Sequence, residues 1–360
     1  MSSLPTYDQL PIDSKYPSNT AWGLWGENDN LGTLNKITQE ITAKASQCVK
    51  RGQVFALNWE MEKPYPTLLG RDSLKHTLVP LLPNHLAFDD KYDTYNPQTS
   101  SQWDGFRHFG LLSAGKFYNN VDPSELAPVD KETAICAASS EAHHHQHGDH
   151  GRLGIHHFAR RGIATRAVLL DYARWAAKHR PDFDPFQPME ITVDELDQVA
   201  KAQNVTFRQG DILLLRIGWT AKHDQLLANG TIKDTIPDPA NVVSAGIKAC
   251  QETFAWLWNH HFAACASDNV ALEVWPPADW ATSCRKVSPD ESLKSIKLDL
   301  ICFVDTQLLG GWGMHIGELF YLDELAESSA KDGVYEYFFT SAPLNKFKGV
   351  ASPPNALCIK

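Results

Sequence analysis

The chain of 360 residues lacks the cysteine pattern of a disulfide-bonded or zinc-knuckle protein. Its seven cysteines are an odd number, and no two of them form a C-x-x-C pair. Small secreted folds and structural zinc sites depend on cysteines paired at short spacings. We therefore expect these cysteines to be small buried apolar residues and not a cross-linked framework.

Long apolar runs are also missing from the sequence. The polar stretch 1–20 has no apolar core of the kind that a secretory signal needs. No run approaches the roughly 18 uninterrupted apolar residues of a membrane-spanning helix. The sequence thus predicts a soluble cytoplasmic protein that does not enter a membrane.

Positive charge is scarce. The chain has 33 Lys and Arg against 43 Asp and Glu, which gives a formal net charge of −10 without a basic stripe. Such a surface repels phosphate backbones and anionic lipids. We therefore expect no nucleic-acid partner and no membrane partner, but a small-molecule substrate.

Two widespread catalytic motifs are absent as well. The sequence has no G-x-S-x-G nucleophile elbow and no G-x-x-x-x-G-K-[ST] phosphate loop. The glycines of segment 310–313 lack the spacing of a dinucleotide-binding loop. These absences leave serine-elbow and nucleotide-dependent chemistry without support.

Hydrophobic periodicity is present throughout and predicts strands alternating with helices, after an irregular lead-in at 1–20 and within one domain at 21–360. Predicted strands lie at 54–59, 166–171, 210–216, 262–267, 298–304 and 335–340. Predicted helices lie at 41–50, after a capping box at 192–195, and at 241–260. Segment 63–100, rich in Pro, Asp and Asn, predicts a long excursion with one hairpin. This order indicates an α/β fold with a partly parallel sheet.

Histidine is abundant: seven of the fifteen lie between positions 143 and 157. The run at 143–150 has the composition of a solvated loop, although such tracts also bind metals. Asp104 and His108 are four residues apart, so a tight turn could bring a carboxylate to an imidazole and make it a better base. Glu318 after Gly317, and Asp268 after a predicted strand, are further candidates for a site or for caps and turns.

Several segments, in order, resemble one family. Segments 22–35, 154–171 and 210–219 are similar to the W-G opening, the middle signature and the G-D-x-x-L-x-R-x-G strand of the cyclase family, which includes bacterial kynurenine formamidase and isatin hydrolase. The resemblance implies a swivelling β/β/α domain with a mixed, partly parallel sheet, and a homo-oligomer. It also implies hydrolysis of a C–N bond in a formamide or cyclic amide, in one branch within tryptophan catabolism, at a divalent metal.

The family's metal-binding pattern, H-x-x-x-H-x-D-x-x-x-H, is only partly matched. Its Asp and last His correspond to Asp104 and His108, its two earlier histidines to Gln98 and Gln102, and its later Glu to Glu318. A further family histidine corresponds to a position near 305 or 306, where this chain has Asp and Thr. The implied ligand set is therefore Asp104, Gln102, Gln98 and Glu318. Oxygen donors of this kind suit Mn²⁺ or Mg²⁺ better than Zn²⁺.

Three states of the site stay open: a weakly held metal, a replacement ligand from His156 or the histidine-rich run, or no metal. The leading hypothesis is a hydrolase acting on an amide, lactam or lactone, with His108 as general base. In this hypothesis Asp104 and Glu318 either bind a metal as ligands or orient His108. Four aromatic residues are expected to wall the substrate pocket or else to pack in the core: Trp103, Phe106, Trp25 and Trp22.

Two alternatives remain beside the hydrolase. The first is a metal-free isomerase, dehydratase or ring-closing enzyme of secondary metabolism, which the missing imidazoles favour. The second is a catalytically silent protein that binds a small molecule in the same pocket. The loss of turnover on changing His108 separates the two enzymes from the binding protein.

Overall fold

The structure is a computed structural model that describes residues 4–82, 85–126, 151–277 and 304–360. The helices are α1 (Gln39–Ala45), α2 (Pro123–Leu126), α3 (Ile155–Arg161), α4 (Tyr172–His179), α5 (Val193–Ala202), α6 (Trp219–Ala228), α7 (Ile232–Thr235), α8 (Gln251–Asn259) and α9 (Asp323–Asp332). The strands are β1 (Val54–Ala56), β2 (Lys75–Pro80), β3 (Phe88–Asp93), β4 (Gln102–Asp104), β5 (Ile163–Asp171), β6 (Glu190–Ile191), β7 (Ile212–Arg216), β8 (Gly246–Ile247), β9 (Ala264–Ser267), β10 (His315–Glu318), β11 (Glu336–Ser341), β12 (Ala351–Ser352) and β13 (Ala356–Ile359).

Nine of the strands form one mixed sheet in the order β1-β13-β11-β5-β7-β9-β10-β4-β12. Its centre is parallel, from β5 through β7 and β9 to β10, and both flanks are antiparallel. The predicted α/β fold with a mixed, partly parallel sheet is thereby confirmed. Parallel strands joined by helices need cover on both faces, which explains their nearly continuous apolar sequences.

The two faces of the central strands pack into two separate cores. Leu170 of β5 and Leu213 of β7 belong to one core, while Leu169 and Leu214 belong to the other. Successive side chains of a strand point to opposite faces, so each strand contributes alternately to both layers. The sheet is consequently a rigid frame buried on both sides, and its strand ends are fixed relative to each other.

Most of the predicted elements are observed, and the capping box is confirmed. Thr192 accepts a hydrogen bond from the backbone N–H of Glu195, and the Glu195 carboxylate accepts one from the backbone N–H of Thr192.

The prediction of one long helix over 241–260 is wrong. Its first half contains β8, which pairs in parallel with β6, and helix α8 starts only at Gln251. A Cβ at Gly246 would lie 2.1 Å from the backbone carbon of Glu273, so this stretch must run extended against its neighbour. Positions 298–303 of another predicted strand lie outside the described residues.

The expected hairpin of the excursion is present. Strands β2 and β3 pair over Lys75–Pro80 and Phe88–Asp93 and form their own two-stranded sheet. Nearly every residue of both strands is exposed, including Leu78 and Phe88. Within the described parts of the chain, no helix combines the length and the apolar character that crossing a membrane requires.

The opening segment 22–35 packs against residues 310–313, at the end of a π-helix over Thr306–Trp312. Trp22 donates its indole N–H to the carbonyl of Gly310 at 2.8 Å, and Thr33 donates its backbone N–H to Gly313 at 2.8 Å. Gly32 lies between these contacts with φ of +55°, and a Cβ there would come within 1.8 Å of the Gly313 carbonyl oxygen. Only glycine fits this close approach without strain.

Candidate active site

Strand β4 brings two of the predicted site residues to one face of the sheet. Gln102 and Asp104 are two residues apart and point to the same side, whereas Trp103 points to the other. The antiparallel register with β10 places Glu318 directly opposite Gln102. The side chains of Gln102, Asp104 and Glu318 are all buried, so their polar atoms must find partners within the protein.

Two glutamine amides connect the predicted residues. Gln102 donates Nε2–H to Asp104 Oδ2 at 3.1 Å and to Glu318 Oε2 at 2.7 Å. Gln98 donates Nε2–H to Asp104 Oδ1 at 2.7 Å, and the same nitrogen lies 3.2 Å from Nδ1 of His108. The structure therefore brings Gln98, Gln102, Asp104, His108 and Glu318 into one hydrogen-bonded group.

The direct Asp104–His108 contact expected from the spacing is not what the structure shows. Asp104 ends β4 with its side chain buried, while His108 follows a turn, in which its N–H bonds to the carbonyl of Gly105, and is half-buried. The amide of Gln98 lies between the two and close to both imidazole nitrogens, at 3.2 and 3.4 Å. Any influence of Asp104 on the imidazole therefore passes through Gln98.

Arg71 is a site residue that the sequence interpretation missed. Its Nη1 donates to the backbone carbonyl of Gln98 and, at 3.2 Å, to Oε1 of Gln102. Because Oε1 of Gln102 faces this cation, its Nε2 must face the carboxylates. Arg71 thus determines the orientation of the central amide.

Two further acids belong to the same group. Asp305 and Glu273 are buried, and the charges of both act on Glu318. Asp305 Oδ1 has no hydrogen-bond partner among the described residues. The family resemblance places a lost histidine near 305 or 306, where Asp305 lies, and Glu273 ends the segment 267–273 that follows a predicted strand.

Burial and mutual repulsion raise the pKa values of these acids. Loss of solvent, with the negative charges of Asp104 and Asp305 nearby, raises the pKa of Glu318 well above its ordinary value, and Arg71 only partly opposes this. Burial likewise raises the pKa of Asp305 far above normal, with Glu273 contributing, and that of Glu273 to about 7. These shifts all favour the neutral form of the acid over the carboxylate.

The predicted metal ligands do not form a metal centre as they are arranged. Among the described side chains, no group of three or more His, Cys, Asp and Glu could hold an ion. Gln98 and Gln102 present NH₂ groups to the carboxylates, whereas a glutamine ligand would have to present its oxygen. The amide protons and Arg71 thus fill the role of a cation beside these oxygens, and no step below uses a metal.

Of the proposed replacement ligands, His156 lies outside this group of residues. His156 of α3 packs on Phe347, and its Nδ1 accepts the backbone N–H of Lys348. The run at 143–150 lies outside the described residues. Asp268, a candidate from its place after β9, instead accepts the backbone N–H groups of Ile217 and Gly218 at 2.6 and 2.8 Å and ties two strand ends together.

A cavity of about 560 Å³ opens beside this group. Arg71, His108, Asp305 and Glu318 form its polar end. Its other walls are largely apolar: Leu69, Phe109, Ala240, Val242, Val243, Val270, Ala271, Trp275 and Pro276. The cavity has the volume and mixed lining of a site for a small organic molecule.

The four aromatic residues expected to wall the pocket are not among the residues that line this cavity. Trp103 points to the opposite face of β4, where its ring packs against Phe320 and Phe158. Phe106 stacks on His315, Trp22 is fully buried and Trp25 packs on the same core. All four rings thus pack in or against the core, Trp103 and Phe106 because the alternation of β4 and the turn after it direct them there.

Replacing Glu318 with glutamine is expected to change how stability depends on pH. The folded-state pKa of Glu318 is raised, so the folded protein holds a proton that the unfolded chain has lost, and this contribution to stability falls as pH rises above about 4.5. Glutamine carries no such proton. Relative to the wild type, Glu318→Gln should gain roughly 1–3 kcal/mol in free energy of unfolding between pH 5 and pH 8.

Urea unfolding at the two pH values measures this difference. Glu62→Gln is the matched control, because Glu62 is exposed and its replacement should leave the pH dependence unchanged. A constant difference between Glu318→Gln and the wild type from pH 5 to pH 8 would show that Glu318 is ionised throughout.

Comparison with known proteins shows the family to which the chain belongs. Residues 36–274 match the family model Cyclase. A crystal structure described as a novel cyclase superimposes with a TM-score of 0.72 at 24% identity, covering 95% of this chain and 97% of the other. Comparison with curated proteins gives no match.

Isatin hydrolases share the fold at lower identity. Isatin hydrolase A from Labrenzia aggregata, solved with benzyl benzoate, has a TM-score of 0.54 and 12% identity over 89% of this chain and 97% of that one. An isatin hydrolase bound to the product analogue thioisatinate has a TM-score of 0.51 and 11% identity over 89% and 98%. The family model matches more than half of the sequence, and this chain belongs to the cyclase family.

Proposed function

We propose that this protein hydrolyses the C–N bond of a formamide or cyclic amide, or the C–O bond of a lactone, in a small aromatic substrate. One observation carries the proposal: His108 and Glu318 line the same cavity, whose other walls are largely apolar. A base that accepts a proton and an acid that keeps one are the two groups that hydrolysis of an acyl bond requires.

The two groups have complementary roles. His108 takes a proton from water while the water oxygen bonds to the carbonyl carbon of the substrate. Glu318 gives its proton to the departing nitrogen or oxygen as the C–N or C–O bond breaks. The proton on His108 then returns to Glu318, directly or through water, and the site is restored.

The buried network holds this pair in place. Glu318 is fixed by Gln102, which also holds Asp104, and Gln98 joins Asp104 to the edge of the His108 ring. Asp104 and both glutamines are therefore positioning residues. Preorganisation of this kind spares the reaction the cost of orienting its groups.

The lining of the cavity favours an apolar substrate. Its volume of about 560 Å³ suits one or two rings, and Val242, Val270 and Trp275 are among its apolar walls. Isatin, an aromatic cyclic amide, is the compound that names two of the proteins with the same fold. We therefore include it among the substrates to be tested.

We expect the purified protein to open at least one of three probes: isatin, formanilide and dihydrocoumarin. They represent a cyclic amide, a formamide and a lactone, and absorbance or chromatography detects each product. Assays run with added EDTA and with added Mn²⁺ report any dependence on a metal. Absence of product from all three and from close aromatic relatives would reject the proposed hydrolase.

A second candidate is a metal-free dehydratase or ring-closing enzyme. The observation that favours it is the raised pKa of Glu318 and of Asp305 beside the cavity, since acid catalysis expels water from alcohols and amino acids. Incubation of isatinate and 2-(hydroxymethyl)benzoate separates the two candidates. If the rate of ring closure at pH 6 exceeds the rate of ring opening, this candidate is favoured over the hydrolase.

A further inference from the structure

Arg71 is the permanent positive charge of the cavity. Among its described lining residues, Arg71 alone carries a charge that does not depend on pH. The polar end of the cavity therefore presents a guanidinium to any molecule that enters.

The backbone around Arg71 is tied to two walls of the site. The backbone N–H of Arg71 bonds to the carbonyl of Leu68 at 3.0 Å, and that of Leu69 bonds to the carbonyl of Pro239 at 2.9 Å. Pro239 directly precedes the stretch 240–243 of the cavity lining. Arg71 is thus anchored at both ends: its backbone by these bonds and its side chain by the contacts with Gln98 and Gln102.

Only one nitrogen of the guanidinium is used in these contacts. Both hydrogen bonds of the Arg71 side chain to described residues come from Nη1. Nε and Nη2 are available, and the residue is half-buried at the cavity surface. A planar guanidinium held at one corner offers its remaining N–H groups to an oxygen in a fixed direction.

We infer that Arg71 binds the carbonyl oxygen of an aromatic acyl substrate and stabilises the negative charge that forms there when water attacks. The inference rests on the proposed hydrolysis and adds the group that stabilises the transition state. Acyl transfer needs such a donor at the developing oxyanion, and positive charge in a water-poor cavity is effective in that role. The ligand chemistry is a negatively charged oxygen on a flat aromatic body.

Turnover of the best probe substrate by Arg71→Gln tests the role in the reaction. We expect kcat to fall by roughly 10²–10³-fold with KM within about threefold of the wild type, because the contact strengthens only in the transition state. Arg71→Lys should retain more activity than Arg71→Gln, and guanidinium ions should partly restore Arg71→Ala. A kcat within threefold of the wild type in Arg71→Gln overturns the inference, and so does a rise in KM alone.

Binding of benzoate tests the same contact without turnover. Titration calorimetry should give a Kd at least about tenfold weaker for Arg71→Gln than for the wild type, while the neutral analogue benzamide binds both alike. Arg208→Gln, an exposed arginine outside the cavity lining, should match the wild type. Equal benzoate affinity in wild type and Arg71→Gln overturns the inference even if hydrolysis is found. A benzoate difference without hydrolysis keeps the anion site and rejects the proposed reaction.

Discussion

His108→Asn should lower kcat/KM on the best probe substrate by roughly 10²–10⁴-fold, the usual loss when a general base is removed. Asparagine keeps a polar group near Gln98 but cannot accept the proton of the attacking water. His108 is half-buried at the cavity surface, and its Cα lies in a turn, so the change should leave folding intact. Initial rates and thermal unfolding of the same preparations measure the two effects separately.

His179→Asn is the matched control. His179 ends α4, where its Nδ1 contacts the carbonyl of Trp175, and it is not among the cavity residues. We expect its kcat/KM to equal that of the wild type. If His108→Asn also kept full activity, the base would have to be another group. If it kept the biological role without turnover, the protein would be a binding protein that retained the pocket.

Gly32→Ala should destabilise the protein by roughly 3–5 kcal/mol, or prevent its folding. Two costs add at this position. A Cβ would lie 1.8 Å from the Gly313 carbonyl oxygen, and the φ of +55° is disfavoured for alanine. The neighbouring contact of Thr33 with Gly313 prevents the two segments from moving apart. Urea unfolding measures the free energy of unfolding directly.

Gly115→Ala separates the two costs. Gly115 has a similar φ of +62°, but nothing lies within 4 Å of where its Cβ would be. It should therefore show only the conformational cost, roughly 1–2 kcal/mol. Equal losses in the two variants would mean that the 22–35 and 310–313 segments can separate without penalty.

The frame of this fold is predictable because its signals are local. The apolar runs of β5 and β7 need only their own sequence to be interpreted as buried strands, and the capping box at Thr192 fixes the start of α5 within four residues. The prediction of a helix over 241–260 failed for a physical reason. Its apolar spacing suits a helix, but Gly246 lies against the backbone of Glu273, and no local pattern reveals a contact between positions so far apart.

The site was predictable only where a known pattern covered it. Asp104, His108 and Glu318 correspond to the cyclase pattern, and the structure places them in one group with Gln98 and Gln102. Arg71 precedes the hairpin, in a stretch without periodicity, so its partnership with Gln102 arises only from the folded path of the chain. The prediction that Trp103 walls the pocket was wrong because a residue next to a site residue on a strand points to the opposite face of the sheet.

The excursion from Arg71 to Gln98 has a consequence for how such a site can change in evolution. Both ends of this loop enter the site, whereas its middle is the exposed hairpin of β2 and β3, outside the nine-stranded sheet. The loop thus carries the cation Arg71, while strands β4 and β10 of the sheet carry Asp104 and Glu318. We therefore expect that exchanging this loop between relatives would change the cation of the site and leave the nine-stranded sheet intact.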